Sequence, residues 1–170
     1  MTRHINGPET DGAVYDISII DPGQARERWF PLLNLADEAE PLRRYLNDGA
    51  LYGLVDGDGR PLAAILVIDI DDRTSELRAV AVDEAAQGRG TGGWLVDEVC
   101  ARLRRSGRRV KVGTASSGTR QLAFYQRHGF RLTGVERDYF SVERGYPEGL
   151  VENGILLRDM VWMLLEPPLG

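Results

Sequence analysis

The stretch Gln87-Gly88-Arg89-Gly90-Thr91-Gly92-Gly93 decides the fold of this 170-residue chain. It follows an apolar run at residues 80–82 that predicts a strand, and it leads into Trp94-Leu95-Val96, which predicts the start of a helix. The first backbone N–H groups of a helix have no acceptor within the helix, and the helix dipole makes that end positive. A glycine-rich turn in this place therefore predicts a binding site for an anion of phosphate size.

Length and composition limit the classes of protein in which such a site can occur. With 170 residues, of which 42% are hydrophobic, the chain has enough apolar material for one well-packed domain. We therefore expect a flexible N-terminus at residues 1–12 and a single domain over residues 13–170. The formal net charge of −5 argues against a protein that attracts nucleic acid through its overall charge.

Cysteine content and apolar runs favour a cytoplasmic protein. Cys100 is the single cysteine, so no internal disulfide can form, and its place in a predicted helix favours a packing role. Residues 1–4 do not resemble a signal peptide. The longest apolar run, Leu62–Ile68, is too short to cross a bilayer, so we expect no membrane partner.

The remaining periodicity predicts an α/β (α+β) order of elements. A first strand over Val14–Ile20 is followed by two short helices that are broken near Asp37–Pro41. The later predicted elements are three antiparallel strands (51–55, 61–70 and 76–82), a helix from 94 that ends at Gly107, a strand at 110–113, a helix at 121–128, a strand at 130–135, an irregular stretch at 136–157 and a last strand at 160–165.

Three phosphate-binding patterns compete for the glycine loop. Gly88, Gly90 and Gly93 match the dinucleotide fingerprint, but residues 83–87 separate them from the strand and no acidic residue follows between 99 and 135. A P-loop requires Gly-Lys followed by Ser or Thr, whereas the only lysine is Lys111. The third pattern, Gln-x-x-Gly-x-Gly, fits Gln87, Gly90 and Gly92, with a plain strand-to-helix turn as its alternative.

This third pattern resembles the coenzyme A pyrophosphate loop of the GNAT superfamily of N-acetyltransferases. The upstream residues 76–83 are similar to the fourth strand of that family, and Phe124-Tyr125-Gln126-Arg127-His128-Gly129-Phe130 is similar to its aromatic-Tyr-x-Lys-x-Gly-Phe signature, with Arg127 in place of Lys. The resemblance covers about Val14–Leu165. It implies a mixed, mostly antiparallel central sheet of about six to seven strands, flanked by helices, with a V-shaped splay between the fourth and fifth strands.

The resemblance also implies acetyl-CoA as co-substrate and no metal. The fourth strand would pair through its main chain with the pantetheine arm, and the glycine loop would surround the pyrophosphate. Where the family often has an Asn after the fifth strand, this chain has two serines that could contact the coenzyme. The implied binding residues are Val80, Ala81, Val82, Gln87, Gly88, Arg89, Gly90, Thr91, Gly92, Gly93, Ser116 and Ser117.

Acyl transfer to an amine requires removal of an amine proton, and it is helped by a proton donor for the thiolate that leaves. By resemblance, Tyr125 is the general acid, with a core tyrosine as the alternative. Glu76 occupies the position of the general base in some family members, with a solvated carboxylate paired to Arg78 as the alternative. Backbone N–H groups at residues 80–82 could polarise the thioester carbonyl.

The long insertion at residues 136–157 lies beside the acceptor side of the cleft in this family. Its carboxylates and aromatic rings suit a cationic amine, with a solvated acidic loop as the alternative. The aromatic residues Tyr139 and Phe140 look exposed and allow a homodimer. The cations of residues 102–111 could contact a coenzyme phosphate or simply face solvent, and His128 is interpreted as a helix-end residue.

Three functional hypotheses remain from the sequence. The first is an N-acetyltransferase that acts by direct attack in a ternary complex, with a small-molecule amine favoured over a protein N-terminus or lysine. The second is a coenzyme A-binding module without catalysis. The third is a nucleotide-binding protein of another fold.

Overall fold

The computed structural model describes residues 17–167. Within that range the chain forms nine strands and five α-helices. The strands are β1 (Ser18–Ile20), β2 (Ala50–Val55), β3 (Pro61–Asp69), β4 (Thr74–Val82), β5 (Arg109–Ala115), β6 (Arg131–Glu136), β7 (Val151–Glu152), β8 (Ile155–Leu156) and β9 (Met160–Leu165). The helices are α1 (Gln24–Glu27), α2 (Phe30–Leu33), α3 (Ala39–Tyr45), α4 (Thr91–Arg105) and α5 (Thr119–Arg127).

Seven of these strands form one mixed sheet in the order β1-β2-β3-β4-β5-β9-β6. Strands β4 and β5 are parallel and pair from Thr74↔Arg109 to Leu77↔Val112. Strand β9 pairs antiparallel with both β5 and β6. This arrangement confirms the predicted α+β class and the mixed, mostly antiparallel sheet. The β4–β5 ladder ends at Leu77, although β4 continues to Val82.

The described chain groups into two compact units. The first unit contains residues 17–68 and 78–101, and the second contains residues 69–77 and 102–167. Strand β4 and helix α4 each contribute residues to both units. The expectation of a single domain stays a prediction, and the proposed flexible stretch at 1–12 lies outside the described residues.

The core of the first unit depends on a close contact between a large ring and a glycine. Trp29 is fully buried together with leucines of α2 and α3. A Cβ added to Gly53 of β2 would lie 2.3 Å from Cη2 of the Trp29 ring. Glycine at this position therefore lets the indole lie directly against the strand. Cys100 is also buried, which confirms its predicted packing role.

Several predicted element boundaries differ from the structure. Three short helices replace the predicted two, because the first predicted helix is divided into α1 and α2. Pro31 lies in the first turn of α2 and has no N–H to donate, so the helix begins anew there. Helix α4 begins at Thr91 rather than Trp94. The stretch predicted to be irregular contains the β7–β8 hairpin, whose turn residues Asn153 and Gly154 have φ of +54° and +74°. Asn-Gly is the typical sequence of such a turn, so this signal was available and missed.

No helix within residues 17–167 has both the length and the hydropathy that a bilayer crossing requires.

Candidate functional site

The glycine loop is attached to the end of β4 by side-chain hydrogen bonds. The Asp83 carboxylate accepts a hydrogen bond of 3.0 Å from the backbone N–H of Ala85, at the start of a short 3₁₀ turn. The Gln87 amide Nε2 then donates to the Val82 carbonyl at 3.0 Å. Gln87 thus fixes the loop on the strand. Beyond it, Gly88 and Gly90 have φ of +72° and +80°, a region that glycine occupies without strain.

Helix α4 presents its N-terminus directly after this loop. The first helical hydrogen bond runs from the Trp94 N–H to the Gly90 carbonyl at 2.9 Å. Gly92 and Gly93 therefore lie in the first helical turn and not in the loop, which corrects the predicted boundary. The N–H groups of residues 91–93 have no acceptor within the helix. A Cβ on Gly92 would lie 2.8 Å from Val82 Cγ2, so glycine also brings the helix close to β4.

The backbone of β4 alternates between two directions. The Asp83 N–H donates to the Leu62 carbonyl of the β3 side at 2.7 Å. Because strand backbone groups alternate, the N–H and C=O of Ala81 also point towards β3, whereas those of Val80 and Val82 point away from it. Of the three residues predicted to bind pantetheine through their main chain, Val80 and Val82 therefore have the suitable orientation, and the Val82 carbonyl already accepts from Gln87.

Glu76 lies in the second unit, on the part of β4 that pairs with β5. It is 4% exposed and is the ladder partner of Lys111. The alternative of a solvated strand-end carboxylate is therefore wrong. By the two-residue period of a strand, Glu76 shares its face of β4 with Val80 and Val82.

Tyr125 lies in the second unit on α5 and is 7% exposed. Its ring makes edge-to-face contacts with Phe124 and Phe130, at centroid distances of 5.1 and 5.6 Å. These contacts fix the orientation of the phenol. His128 occupies the C-cap of α5, and Gly129 follows it with φ of +87°, which confirms the helix-end interpretation.

The two serines after β5 differ in their surroundings. Ser116 is exposed, and its backbone N–H donates to the Asp159 carbonyl at 2.9 Å. Ser117 is 1% exposed, and its hydroxyl donates to the Glu152 carboxylate at 2.8 Å. The Asn153 amide donates to the Ser117 carbonyl, also at 2.8 Å. The β7–β8 hairpin is therefore bound to the turn that precedes α5.

The aromatic residues of the insertion pack on one another. Tyr139 is 8% exposed and lies in a cluster with Tyr146 and Met160, while Phe140 is half-buried against it. The expectation that Tyr139 and Phe140 are exposed is therefore wrong, because each ring buries its neighbours. They provide no support for a homodimer.

Two carboxylates of the insertion are bound to side chains of the second unit. Glu136 forms an ion pair with Arg144 at 2.7 Å and accepts a 3.0 Å hydrogen bond from the Trp162 indole. Glu152 accepts from Ser117, as above. The backbone N–H of Glu143 lowers the pKa of its own carboxyl, with help from the Ser141 hydroxyl. Glu152 is thus engaged within the protein, whereas Glu136 is paired but 40% exposed and Glu143 and Glu148 are exposed, as the alternative of a solvated acidic loop expects.

Two of the cations at residues 102–111 hold the turn between β3 and β4. Arg108 donates to the hydroxyl of Ser75 and to three carbonyls of the turn, and it forms an ion pair with Asp69 at 3.1 Å. Arg109 donates to the Thr74 hydroxyl at 3.1 Å. These two arginines are structural, whereas Lys111 lies on the face of the sheet that carries Glu76.

Comparisons with known proteins show which family the chain resembles. Residues 15–130 match the model of the acetyltransferase (GNAT) family. The chain is 32% identical to the uncharacterised N-acetyltransferase YvbK of Bacillus subtilis over 163 residues, which cover 94% of this chain and 93% of that protein.

Two solved structures share the fold at similar identity. A GNAT family acetyltransferase from Elizabethkingia anophelis, with acetyl-CoA bound, is 32% identical with a TM-score of 0.78, covering 88% of this chain and 97% of that one. An IAA acetyltransferase from Bacillus cereus is 32% identical with a TM-score of 0.78, covering 89% and 99%. A nucleotide-binding protein of another fold is thereby excluded. The chain belongs to the GNAT family of acetyltransferases.

Proposed function

We propose that this protein transfers the acetyl group of acetyl-CoA to the primary amine of a small molecule, by direct attack in a ternary complex. The observation that carries the proposal is the glycine loop between β4 and α4. It combines two left-handed glycines with the free N–H groups of a helix N-terminus, which together suit a pyrophosphate.

The loop has room for such a group. A Cβ added at Gly88 or Gly90 meets no atom within 4 Å, so the backbone there borders open space. The exposed Arg89 adds a positive charge between the two glycines. The E. anophelis relative was solved with acetyl-CoA bound, at 32% identity, which supports the same donor for this chain.

Acetyl-CoA supplies the acyl group as a thioester, and the residues of this chain manage the protons. Glu76 would accept a proton from the attacking ammonium, directly or through water, because an amine needs its lone pair to form the new C–N bond. Tyr125 would donate its phenolic proton to the sulfur as the C–S bond breaks, and the phenolate would recover a proton when the nitrogen of the new amide loses its second one. The Val80 and Val82 N–H groups have the orientation needed to stabilise the carbonyl oxygen as it becomes negative.

Two observations favour a small-molecule acceptor. The B. cereus relative is named as an acetyltransferase of IAA. In addition, the insertion is fixed within its own unit, through the aromatic cluster and through the Ser117–Glu152 hydrogen bond. Acetylation of a protein N-terminus or lysine is the alternative.

Thiol release from acetyl-CoA across a panel of small amines tests the proposal. We expect Tyr125→Phe to lower kcat by about 10²-fold or more while the affinity for coenzyme A stays unchanged, since general acid–base catalysis contributes about 10²–10⁴-fold. Glu76→Gln should do the same. Tyr146→Phe is the matched control, because Tyr146 is similarly buried in the same unit.

The non-catalytic alternative makes the opposite prediction. A coenzyme A-binding module would bind coenzyme in all three variants and would release no thiol with any amine. Turnover that is equal in wild type and Tyr125→Phe would remove Tyr125 from the mechanism.

A further inference from the structure

Lys111 is half-buried in the second unit, and its ammonium lies over an aromatic ring. The Nζ atom is 3.7 Å from the centroid of the Trp162 ring, which is a close cation–π contact. An ammonium has three N–H donors, and the face of a ring does not satisfy all of them. Lys111 therefore keeps the capacity to bind an anion.

Gly113 explains why the ring takes this position. Gly113 and Trp162 are directly opposite each other on β5 and β9. A Cβ on Gly113 would lie 2.6 Å from Cζ3 of the indole, so only glycine lets the ring lie flat across β5 towards Lys111. The chain has a single lysine among its 21 basic residues, and the sheet holds it at this point.

Lys111 and Glu76 are neighbours on one face of the sheet. They are direct partners in the parallel β4–β5 ladder, so their side chains project to the same side. Glu76 is the group that would deprotonate the acceptor amine. A substrate whose amine reaches Glu76 can therefore bring another group to the ammonium of Lys111.

The other charges around these rings are already paired. Arg144 lies over the Tyr139 ring at 4.2 Å, but its charge is balanced by Glu136 at 2.7 Å. Glu136 also accepts from the Trp162 indole, on the same side chain that Lys111 contacts. Within the part of the chain that the structure describes, Lys111 contacts the Trp162 ring and forms no ion pair with a carboxylate, although Glu76 is its neighbour in the ladder.

From this arrangement we propose that Lys111 binds a carboxylate of the acceptor, so that the substrate class is a primary amine that also carries a carboxylate. The inference rests on the proposed function and deepens it. It differs from the expectation of a cationic acceptor; of the carboxylates of the insertion, Glu136 and Glu152 are engaged within the protein.

Matched pairs of acceptors test this inference directly. Each pair contains an amine with and without its carboxylate: L-phenylalanine and 2-phenylethylamine, L-methionine and 3-(methylthio)propylamine, 4-aminobutyrate and propylamine. We expect Lys111→Gln to lower kcat/KM for the preferred carboxylate-bearing amine by about tenfold or more, mostly through KM, as for a lost hydrogen bond between charged groups. The kcat/KM for the matched neutral amine should change less than twofold. Because the variant and wild type are compared on the same amine, the different intrinsic reactivity of the two amines cancels.

Two further variants make the result specific. Arg131→Gln removes an exposed cation from β6 of the same unit and should leave the preference for the carboxylate intact. Lys111→Arg keeps the charge and should retain a preference for the carboxylate. Circular dichroism and Tm confirm that each variant is folded.

A binding measurement separates this inference from the proposed function. With coenzyme A present, N-acetyl-L-phenylalanine should raise the Tm of wild type more than N-(2-phenylethyl)acetamide does, and Lys111→Gln should abolish that difference. This result would support the carboxylate site even if no amine were acetylated.

Three results would overturn the inference. The first is an equal loss of kcat/KM for both members of every pair in Lys111→Gln, which would mean that Lys111 acts through Glu76. The second is a wild-type preference for the neutral amines. The third is the absence of any Tm difference between the two acetylated compounds in wild type.

Discussion

Substitution of Gly90 by alanine separates the backbone geometry of the coenzyme loop from its packing. Gly90 has φ of +80°, and an added Cβ meets nothing within 4 Å. The cost of alanine is therefore a backbone cost, about 1–2 kcal/mol for a left-handed residue. The smaller entropy of the unfolded variant offsets about 0.4–1 kcal/mol of this cost. A net loss of about 1 kcal/mol corresponds to a fall in Tm of about 2–4 °C for a chain of this size.

The backbone strain that alanine introduces at position 90 lowers either the free energy of unfolding or the affinity for coenzyme A. If the loop of Gly90→Ala keeps its positive φ, the free energy of unfolding falls and the affinity for coenzyme A is unchanged. If the loop relaxes, stability is regained, but the coenzyme must restore the positive φ when it binds. A cost of about 1–2 kcal/mol then lowers affinity by a factor of about 5–30. With the offset from the unfolded state included, the losses of stability and of binding energy should together remain about 1 kcal/mol.

Gly59 provides the matched control. It also has φ of +80° with nothing within 4 Å, but it lies in the turn between β2 and β3. Gly59→Ala should lower Tm by a similar amount and leave the affinity for coenzyme A unchanged. Calorimetric titration with coenzyme A and thermal unfolding of both variants provide the measurements. An unchanged Tm together with an unchanged affinity in Gly90→Ala, or an equal loss of affinity in Gly59→Ala, would refute the reasoning.

Two further predictions concern stability. Arg26 is 1% exposed and donates hydrogen bonds to four backbone carbonyls. Arg26→Met should therefore lower the free energy of unfolding, measured by urea denaturation, by about 3–5 kcal/mol. A loss under about 1 kcal/mol would contradict a structural role for Arg26. The backbone N–H of Arg60 lowers the pKa of Asp56 below its ordinary value. This carboxylate therefore stabilises the fold above its unfolded pKa of about 3.9, and the contribution is lost as the pH falls through the lower folded pKa. Asp56→Asn should lose less stability than wild type between pH 5 and pH 3, and identical pH dependence would count against the contribution.

Local signals in the sequence accounted for most of the element order. The last strand was predicted with its observed bounds, Met160–Leu165, because its apolar run is short and bounded by polar residues. The central position of β3 also follows from its apolar residues on both faces, and residues 63–67 are all buried. The sequence also predicted helix α4, but the helix begins at Thr91, three residues before the predicted start at Trp94. Gly92 and Gly93 were predicted to lie in the loop because glycine has a low helix propensity.

The insertion was the least predictable part of the chain. Its Asn153-Gly154 turn was a recognisable signal, yet the two-residue strands on either side are too short to show a period. The burial of Tyr139 and of Glu76 could not be read from their neighbours in sequence. In both cases the groups that cover the side chain belong to other elements.

The sequence by itself determined the family and the type of donor site, because the glycine loop, its strand and its helix are contiguous and act through backbone geometry. Tertiary structure decided which charges are available. Glu136 and Arg144 neutralise each other, Glu152 binds Ser117, and Lys111 lies over Trp162 beside Glu76. These contacts join residues that are far apart in the chain, and electrostatic balance depends on distance in space. The donor could thus be identified from one stretch, whereas the proposed class of acceptor rests on the assembled second unit.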